Sequence, residues 1–545
     1  MNLVDSSLRP PDTSRMLFAG TTIQRVVLRR FSRSGDADFT PRHRHGLAVS
    51  SAFGLAILGF VGLPLTGSAT ATITSGLGAS YAVAAQRQPL TTNTNSPVAH
   101  DTETEALVAH WGRLFAATGQ WEYPGPSAFG QVLIKKSKTS PWSVFEQTQS
   151  LRVQALYSFP IPSDQGLGPS HSLLVTQAIV AGRSRIQWLL DGANSFSLRN
   201  SYVLPAGADI RAFGAHQAGG VWSVYAGVRP TGVLQGVWSP ARHTLVFSPQ
   251  PELTVAPPGS PGATQKDTGF ADCAGALYST INTTLYRRND GALPPGIPRW
   301  VPVYRAPPVG PHNSGLRGIT CLLHNGSPSL LLSTEGNGNV YRFDDPPRGQ
   351  LDTTAQPMPG SVADGLVQTL EFQPIPAVRQ MLATQGTSIP ATGRGSIVYV
   401  IAAYNNGDFQ TMKIGGVDRQ VFGFEWGYQG VCPTTQKCGP IASGAVHFNA
   451  SACFAVRTDQ GQSPTYALRC LSGPTLTPSA TVSKPIRSGQ AFVSIRSIMP
   501  SPFRDGRIYY GGYDCNFYPA DDTAWVASST LRSLRLSVSP KGRSS

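Results

Sequence analysis

A pattern of short apolar runs separated by tight turns recurs along most of this 545-residue chain. Each run is rich in β-branched and aromatic residues and leads through a Gly or Asn turn to a second run, which is the pattern of a β-hairpin. The 57 Gly and 45 Pro supply the turns that such a chain needs. An all-β fold is therefore predicted. The pairs of runs include 113–119 with 131–134, 172–176 with 186–190, 221–225 with 236–238, and the two runs inside each of 276–287 and 330–342.

The spacing of these hairpins indicates a higher-order repeat. Equivalent strand positions recur at intervals of 49 to 67 residues, near 114, 175, 224, 279, 332, 399, 455 and 509. A repeat of this size is typical of one four-stranded propeller blade. We therefore predict a β-propeller of seven blades, within a range of six to eight; a tandem of two-sheet sandwiches is the alternative. Only Ala377 to Ala383 is expected to form a short helix.

The N-terminal region has the composition of an export region. Residues 1–45 are expected to be a disordered basic n-region, and residues 46–86, which carry no charge, to be a signal peptide or a signal anchor. Cleavage near Thr72 or Ala85 gives a secreted or extracytoplasmic protein, whereas an uncleaved apolar segment, 47–65, anchors it with the body outside. A linker over 87–105 and a propeller domain over 106–545 complete the predicted organisation.

All seven cysteines follow the apolar segment, as expected for an oxidising compartment. Two local disulfides are candidates: Cys432 with Cys438 across a short loop, and Cys453 with Cys470 between neighbouring strands. Cys and His residues do not have the spacing of a metal site, so no metal and no other cofactor is predicted.

The net charge of +14 is weak evidence for any particular class of binding partner, because Lys and Arg are scattered in the body and rarely form more than pairs. Nucleic-acid binders cluster their basic residues, so a nucleic-acid partner is not expected. Contact with a membrane is expected only through the N-terminal apolar segment. A monomer with a glycan or protein ligand is predicted.

One segment carries a family resemblance. The run Arg113–Gly119, followed by the run from Val132 through Ser137 to Trp142, resembles the strand and Asp-box segment of sialidase-type β-propellers, whose pattern is S-x-D-x-G-x-T-W. Ser137 and Trp142 match the two ends, and Thr139 stands where the pattern has Asp. The resemblance implies the propeller fold, but it identifies no catalytic residues in this sequence. More broadly, the body resembles secreted β-propeller proteins of unassigned function.

Two aromatic and acidic segments are the candidate ligand-binding sites. The first contains Tyr513, Asp514 and Trp525, and the second contains Glu425 and Trp426. Aromatic rings stack on sugar faces and carboxylates accept hydrogen bonds from hydroxyls, so both suit a glycan, and paired carboxylates also suit glycoside hydrolysis. In the alternative interpretation, Asp514 caps a turn, Glu425 points outward from a strand, and the aromatics are core.

No sequence motif dictates a reaction, because a P-loop, a nucleophile elbow and a dinucleotide fingerprint are all absent. The predicted function is an exported propeller that binds a glycan or a peptide; the alternative is a carbohydrate-active hydrolase or lyase. An enzyme should gather at least two carboxylates with an Arg or His at the mouth of the channel. We expect Asp514 and Glu425 to share one ligand-facing surface.

Overall fold

The computed structural model is a β-propeller, with antiparallel sheets arranged around a central channel. It describes residues 82–84, 86–89, 103–119, 130–229, 232–254, 267–307, 315–344, 360, 366–377, 397–429, 446–448, 453–457, 464–472, 494–512 and 524–534. All of them belong to one compact unit, Leu65–Ser545. No helix in these ranges has the length and apolar character needed to span a membrane, and the predicted apolar segment, 47–65, lies outside them.

The strands follow one another as short antiparallel neighbours, because apolar runs alternate with tight turns. The first half of the chain forms β1 (Ala82–Ala84), β2 (Gln86–Pro89), β3 (Glu103–His110), β4 (Arg113–Gly119), β5 (Gln131–Lys135), β6 (Ser143–Gln147), β7 (Leu156–Ile161), β8 (His171–Val180), β9 (Arg183–Leu190), β10 (Ser201–Val203), β11 (Asp209–Ala218), β12 (Val221–Arg229), β13 (Gly232–Ser239), β14 (Thr244–Phe247), β15 (Asp267–Cys273) and β16 (Ala276–Ile281).

The second half forms β17 (Thr284–Arg288), β18 (Trp300–Arg305), β19 (Leu316–His324), β20 (Ser327–Gly336), β21 (Val340–Asp344), β22 (Val367–Phe372), β23 (Ile397–Ala402), β24 (Gln410–Ile414), β25 (Val417–Gln429), β26 (Val446–Phe448), β27 (Cys453–Arg457), β28 (Tyr466–Ser472), β29 (Ser497–Pro500), β30 (Arg507–Gly512) and β31 (Trp525–Thr530). Short 3-10 helices lie at Leu198–Asn200, Asn406–Asp408 and Leu531–Leu534. Of the predicted helix at 377–383, only residue 377 is described, and it is helical together with residues 374–376.

Five sheets have four strands each, in the orders β3-β4-β5-β6, β7-β8-β9-β10, β11-β12-β13-β14, β15-β16-β17-β18 and β29-β30-β31-β2. The remaining eleven strands form one larger sheet, which joins β19–β22 to β23–β28 and β1. The join is narrow, because β20 and β23 pair only at Glu335 with Ile401 and at Gly336 with Val400. The predicted number of seven blades stays a prediction.

The first strands of the sheets line the ring. β3 contacts β7 and β29, β7 contacts β11, β11 contacts β15, and β15 contacts β19. Apolar clusters fill the spaces between neighbouring sheets, and one cluster joins Leu107 and Leu133 of the first sheet to Tyr509 and Val526 of the last. The apolar core therefore lies between neighbouring sheets, and the first strand of each sheet lies next to the channel.

The predicted linker, 87–105, contains residues of two strands. Part of β2 lies in it, and β2 pairs with β31, while Glu103–Glu105 begin β3. The predicted domain boundaries are otherwise untested. At the segment with the Asp-box resemblance, Ser140 Oγ accepts hydrogen bonds from the amides of Lys136 and Ser137, each at 2.9 Å, and Trp142 is buried.

Cys273 and Cys321 form a disulfide that the sequence analysis did not propose. Cys273 ends β15 and Cys321 lies in β19, so the bond joins two neighbouring first strands. Cys453 is disulfide-bonded, and Cys470 stands directly opposite it in the register of β27 and β28. The predicted pair Cys432 and Cys438 lies outside the described residues.

Candidate functional site

A cavity of about 650 Å³ opens where several strands of the first three sheets begin or turn. Three connections form it: the segment between β6 and β7, the β8–β9 hairpin tip, and the segment from β10 to β11. Its walls are apolar at Leu151 and Val203, whose side chains are 51% and 42% exposed. Its polar groups include Arg152, Arg183 and Asp209. A mixed lining of this kind suits a ligand that has both apolar and charged parts.

Arg152 connects this cavity to two buried carboxylates of β3. Its Nε lies 3.1 Å from Glu103 Oε1, and its Nη1 lies 3.9 Å from Glu105 Oε1. The register of β3 against β4 shifts between Thr104 and Ala106, and the carboxyls of Glu103 and Glu105 both lie beside Arg152. Both carboxylates are almost completely buried.

Arg496 binds the same carboxylates from the other side. It forms an ion pair with Glu103, lies 3.6 Å from Glu105 Oε2, and contacts Glu425 Oε2 through Nε at 3.2 Å and Nη2 at 3.1 Å. Three carboxylates and two guanidinium groups are therefore concentrated around the inner strands. This arrangement meets the composition expected of an enzyme at the channel, but its carboxylates are buried.

The insertion between β23 and β24, residues 403–409, enters the channel. Its short helix contacts β15, β19 and β29. The ring of Tyr404 stands between two guanidinium groups, with Arg317 4.5 Å and Arg496 4.3 Å from its centroid. The approach requires glycine at Gly318, because a Cβ there would lie 2.4 Å from the carbonyl oxygen of Asn405. The insertion therefore narrows the channel with an aromatic ring held by cation–π contacts.

Burial and neighbouring charges move the pKa values of the channel carboxyls in opposite directions. Burial alone raises the pKa of Glu103, but Arg152 and Arg496 outweigh it and hold that pKa below its usual value. Burial and the charge of Glu103 raise the pKa of Glu105 well above its usual value. Burial also raises the pKa of Asp408 well above its usual value. The pKa values of Glu103 and Glu105 are therefore moved apart.

A smaller cavity, of about 220 Å³, lies beside the two carboxyls whose pKa values are raised. Glu105 and Asp408 contribute to its lining, together with Tyr157 and Ser497. The carboxylate pair therefore lies between two cavities. Glu103 contacts Arg152, which lines the larger cavity, and Glu105 lines the smaller one.

The structure describes some of the residues that the sequence analysis proposed for ligand binding. Glu425 belongs to the buried cluster described above, and Trp525 is buried in the core beside Tyr510. Trp426 lies in β25 opposite Val400, and its side chain is outside the described residues. Tyr513 and Asp514 are also outside them, so the shared surface of Asp514 and Glu425 stays a prediction.

The sequence analysis missed Glu103, Glu105, Arg152 and Arg496. The two glutamates stood in the predicted linker, where polar residues are expected, and the irregular register of β3 at Glu105 has no local sequence signal. Nothing in the local sequence distinguishes Arg152 or Arg496 from the other scattered arginines. Among the residues that the structure describes, no group of three His, Cys, Asp or Glu side chains is placed to hold a metal ion.

No protein-family model and no curated protein matches this sequence. Among solved structures, the chain is similar to the β-propeller domain of Cps50 (Swd1) from Myceliophteria thermophila, with 12% identity, a TM-score of 0.38, and coverage of 82% of this chain and 100% of that one. It is also similar to the GH93 α-L-arabinofuranosidase of Fusarium graminearum in complex with arabinobiose, with 8% identity, a TM-score of 0.36, and coverage of 83% and 98%. A third is the WD40 domain of SCAP from fission yeast, with 8% identity, a TM-score of 0.32, and coverage of 82% and 98%.

Proposed function

We propose that this chain is an exported binding protein, and that the 650 Å³ cavity holds a glycan or peptide carrying an acidic group. The observation that carries the proposal is Arg183, an exposed guanidinium group in that cavity at the β8–β9 hairpin. Arg152 also lines the cavity, with its own guanidinium paired to Glu103 and Glu105. A ligand carboxylate paired with a guanidinium gains charge-assisted hydrogen bonds, while Leu151 and Val203 cover its apolar part.

Arg183 gives the clean test, because its exposure allows substitution without unfolding. Wild-type protein is screened against oligosaccharides with and without uronic acids and against short acidic peptides. We expect Arg183→Gln to weaken binding of an acidic ligand by about tenfold, the effect of losing one charged hydrogen bond. Arg199→Gln, which changes another exposed arginine outside the cavity, should leave affinity unchanged. Equal binding by wild type and Arg183→Gln contradicts the proposal.

One observation favours hydrolysis of a carbohydrate as a second candidate. A pair of carboxyls whose pKa values move apart is the arrangement by which glycosidases separate an acid from a charged partner. Glu105 would donate the proton and Glu103 would stay ionised.

The Glu105→Gln variant tests this candidate without disturbing the fold. A glutamine amide replaces a protonated carboxyl at nearly the same size and charge, so stability should be preserved while acid catalysis is lost. We expect wild-type protein to cleave a member of a broad panel of glycosides and the variant to lose at least a hundredfold in rate. A folded Glu105→Gln protein with full activity, or an inactive wild type, removes this candidate.

A further inference from the structure

The tip of the β3–β4 hairpin carries a large aromatic residue in an unusual backbone conformation. Trp111 and Gly112 are the two residues of the turn, with φ of 46° and 71°. A left-handed backbone is unfavourable for a bulky residue, and two-residue turns of this kind prefer Asn, Asp or Gly at the first position. The indole is nevertheless 53% exposed to solvent. Neither burial nor turn geometry therefore accounts for tryptophan here.

Five other hairpins of the same fold provide an internal comparison. Each joins two neighbouring strands through two left-handed residues, and each has a small residue or Asn at the first position: Ala181–Gly182, Gly219–Gly220, Ala274–Gly275, Asn325–Gly326 and Gly415–Gly416. The fold forms these turns without a large side chain. Trp111 is the exception among these six described turns, and strain of this kind is a signal of function.

The indole of Trp111 is supported from beneath. Its Cη2, Cζ2 and Cζ3 atoms lie over the backbone of Gly192, where a Cβ would be 3.4 to 3.8 Å away. The guanidinium of Arg113 stands 4.9 Å from the ring centroid. Arg113 is itself fixed, because its Nη1 donates to the carbonyl of Ala193 at 3.2 Å and to Asn194 Oδ1 at 3.4 Å. Contacts with Gly192 and Arg113 therefore hold the indole ring of Trp111 in place.

The support is rigid because Asp191 anchors the segment next to it. Asp191 accepts hydrogen bonds from the amide of Ser172 at 3.0 Å and from its hydroxyl at 2.9 Å. His171 Nδ1 lies 3.0 Å from the second oxygen of the same carboxylate, and the His171 side chain is 39% exposed. Ser172 Oγ also lies 3.1 Å from the buried His110 Nδ1. An aromatic ring that is already fixed in place, with polar groups beside it, loses little conformational entropy when a ligand binds.

We propose that Trp111 is a stacking platform for the ring of a neutral sugar, with His171 and Asn194 beside it for hydroxyl groups. The partly positive C–H face of a pyranose is attracted to the electron-rich face of an indole. An aromatic anchor for a protein pocket would project from the surface, whereas this ring lies back on Gly192 and Arg113. The half-buried His171 and the exposed Asn194 offer both donors and acceptors.

This platform is separate from the cavity of the proposed function. β3 begins at Glu103, on the cavity side, and ends at His110, beside Trp111. Seven steps along an extended strand cover about 23 Å. The inference therefore stands whether or not the cavity binds an acidic ligand.

The test uses the full chain and an array of neutral oligosaccharides of glucose, mannose, galactose, xylose and N-acetylglucosamine. Trp111→Asn is the main variant, since Asn suits the left-handed turn and should keep or raise the thermal midpoint. We expect it to raise the Kd for a bound oligosaccharide at least tenfold. Protein labelled with 5-fluorotryptophan gives a second measurement: the ¹⁹F resonance missing from Trp111→Asn should shift on titration with that oligosaccharide.

Two controls separate this site from the cavity. Asn325→Asp, at an equivalent hairpin tip, and Arg183→Gln, in the cavity, should both bind neutral oligosaccharides as wild type does. Unchanged binding by Trp111→Asn, or a wild type that binds no neutral oligosaccharide, overturns the proposal. Loss of neutral-sugar binding in Arg183→Gln also overturns it, because the sugar would then occupy the cavity. Loss in Trp111→Asn alone supports it even if the cavity proposal fails.

Discussion

At the scale of single residues, Arg496 determines how the buried charges of the channel are balanced. It contacts Glu103 and Glu425 directly and stacks on Tyr404. Burying carboxylates without partners is costly, since the interior solvates charge poorly. The channel charges therefore depend on a guanidinium that forms several contacts at once, which a single Lys could not reproduce because it lacks the planar fork.

The Arg496→Gln variant should be strongly destabilised. Removing one partner from a buried charge cluster costs about 3–5 kcal/mol, because the carboxylates that remain lose their compensation. Urea unfolding followed by tryptophan fluorescence measures the change. Arg199→Gln is the matched control and should stay within about 0.5 kcal/mol of wild type, since Arg199 is exposed. An Arg496→Gln protein as stable as this control would contradict the role given to Arg496.

His216 makes stability depend on pH in the alkaline range. Burial alone lowers the pKa of His216, but hydrogen bonds to Asp272 at 2.9 Å and Asp290 at 3.1 Å outweigh it and raise the pKa to about 9. Arg288 also pairs with Asp290, and Glu252 pairs with Arg288. Because the folded pKa lies above the ordinary value, the stabilisation is complete below about pH 6.5 and is lost as the pH rises to about 9.

The thermal midpoint should therefore fall between pH 6.5 and 9, by the equivalent of about 3 kcal/mol at most. A His216→Asn variant should be less stable than wild type at pH 6 and should lose this part of the pH dependence. His243→Asn, at an exposed histidine, serves as the control and should keep the wild-type slope. Parallel pH profiles for wild type and His216→Asn would show that the imidazolium contributes nothing.

At the scale of elements, strand positions were predictable and strand partners across the ring were not. The pattern at 113–119 gives β4 with the same bounds, because apolar residues and a terminal Gly define a strand locally. No sequence prediction concerned the short helix Asn406–Asp408, yet it contacts the inner strands β15, β19 and β29. Contacts of that kind depend on closure of the ring, which no local pattern encodes.

The disulfide of Cys273 and Cys321 illustrates the same limit and gives a prediction. The two cysteines are 48 residues apart in sequence, and only the neighbouring positions of β15 and β19 bring their Cα atoms to 5.3 Å. Closing a loop of this length restricts the unfolded chain and stabilises the fold by about 2–4 kcal/mol. The double variant Cys273→Ala with Cys321→Ala should unfold at correspondingly lower urea concentration.

A control with both bonds reduced isolates the effect. Wild-type protein in a strong reductant loses both bonds and should become less stable than the oxidised double variant, whereas the double variant should lose less on reduction, because only the disulfide of Cys453 is left to reduce. An unchanged midpoint in the double variant would mean that the packing of β15 against β19 holds these strands without the bond.

At the scale of the whole molecule, the two ends of the body meet in one sheet. β2 forms the outer strand beside β31, with Gln86 opposite Ser528 and Pro89 opposite Trp525. The apolar cluster of Leu107, Leu133, Tyr509 and Val526 joins the same sheet to the first one. The sequence predicted the repeat and the fold class but placed residues 87–105 in a linker, since a four-residue polar strand has no apolar pattern.

This closure predicts that residues 86–89 belong to the folded unit. Deleting residues 1–90 removes β2 and leaves β31 as an exposed edge, which loses its backbone hydrogen bonds and invites association with other chains. At about 1 kcal/mol for each bond, the loss should be about 2–4 kcal/mol, with aggregation on heating. Deleting residues 1–85 is the matched control, because it removes β1 as the longer deletion does and retains β2. Both predicted export cleavages, near Thr72 and Ala85, also retain β2.

Urea unfolding and light scattering during a thermal ramp measure the difference between the two truncated proteins. If the two truncated proteins unfold together and remain equally soluble, the N-terminal strand has no part in closing the ring, and the contacts between the first and last sheets must hold it alone.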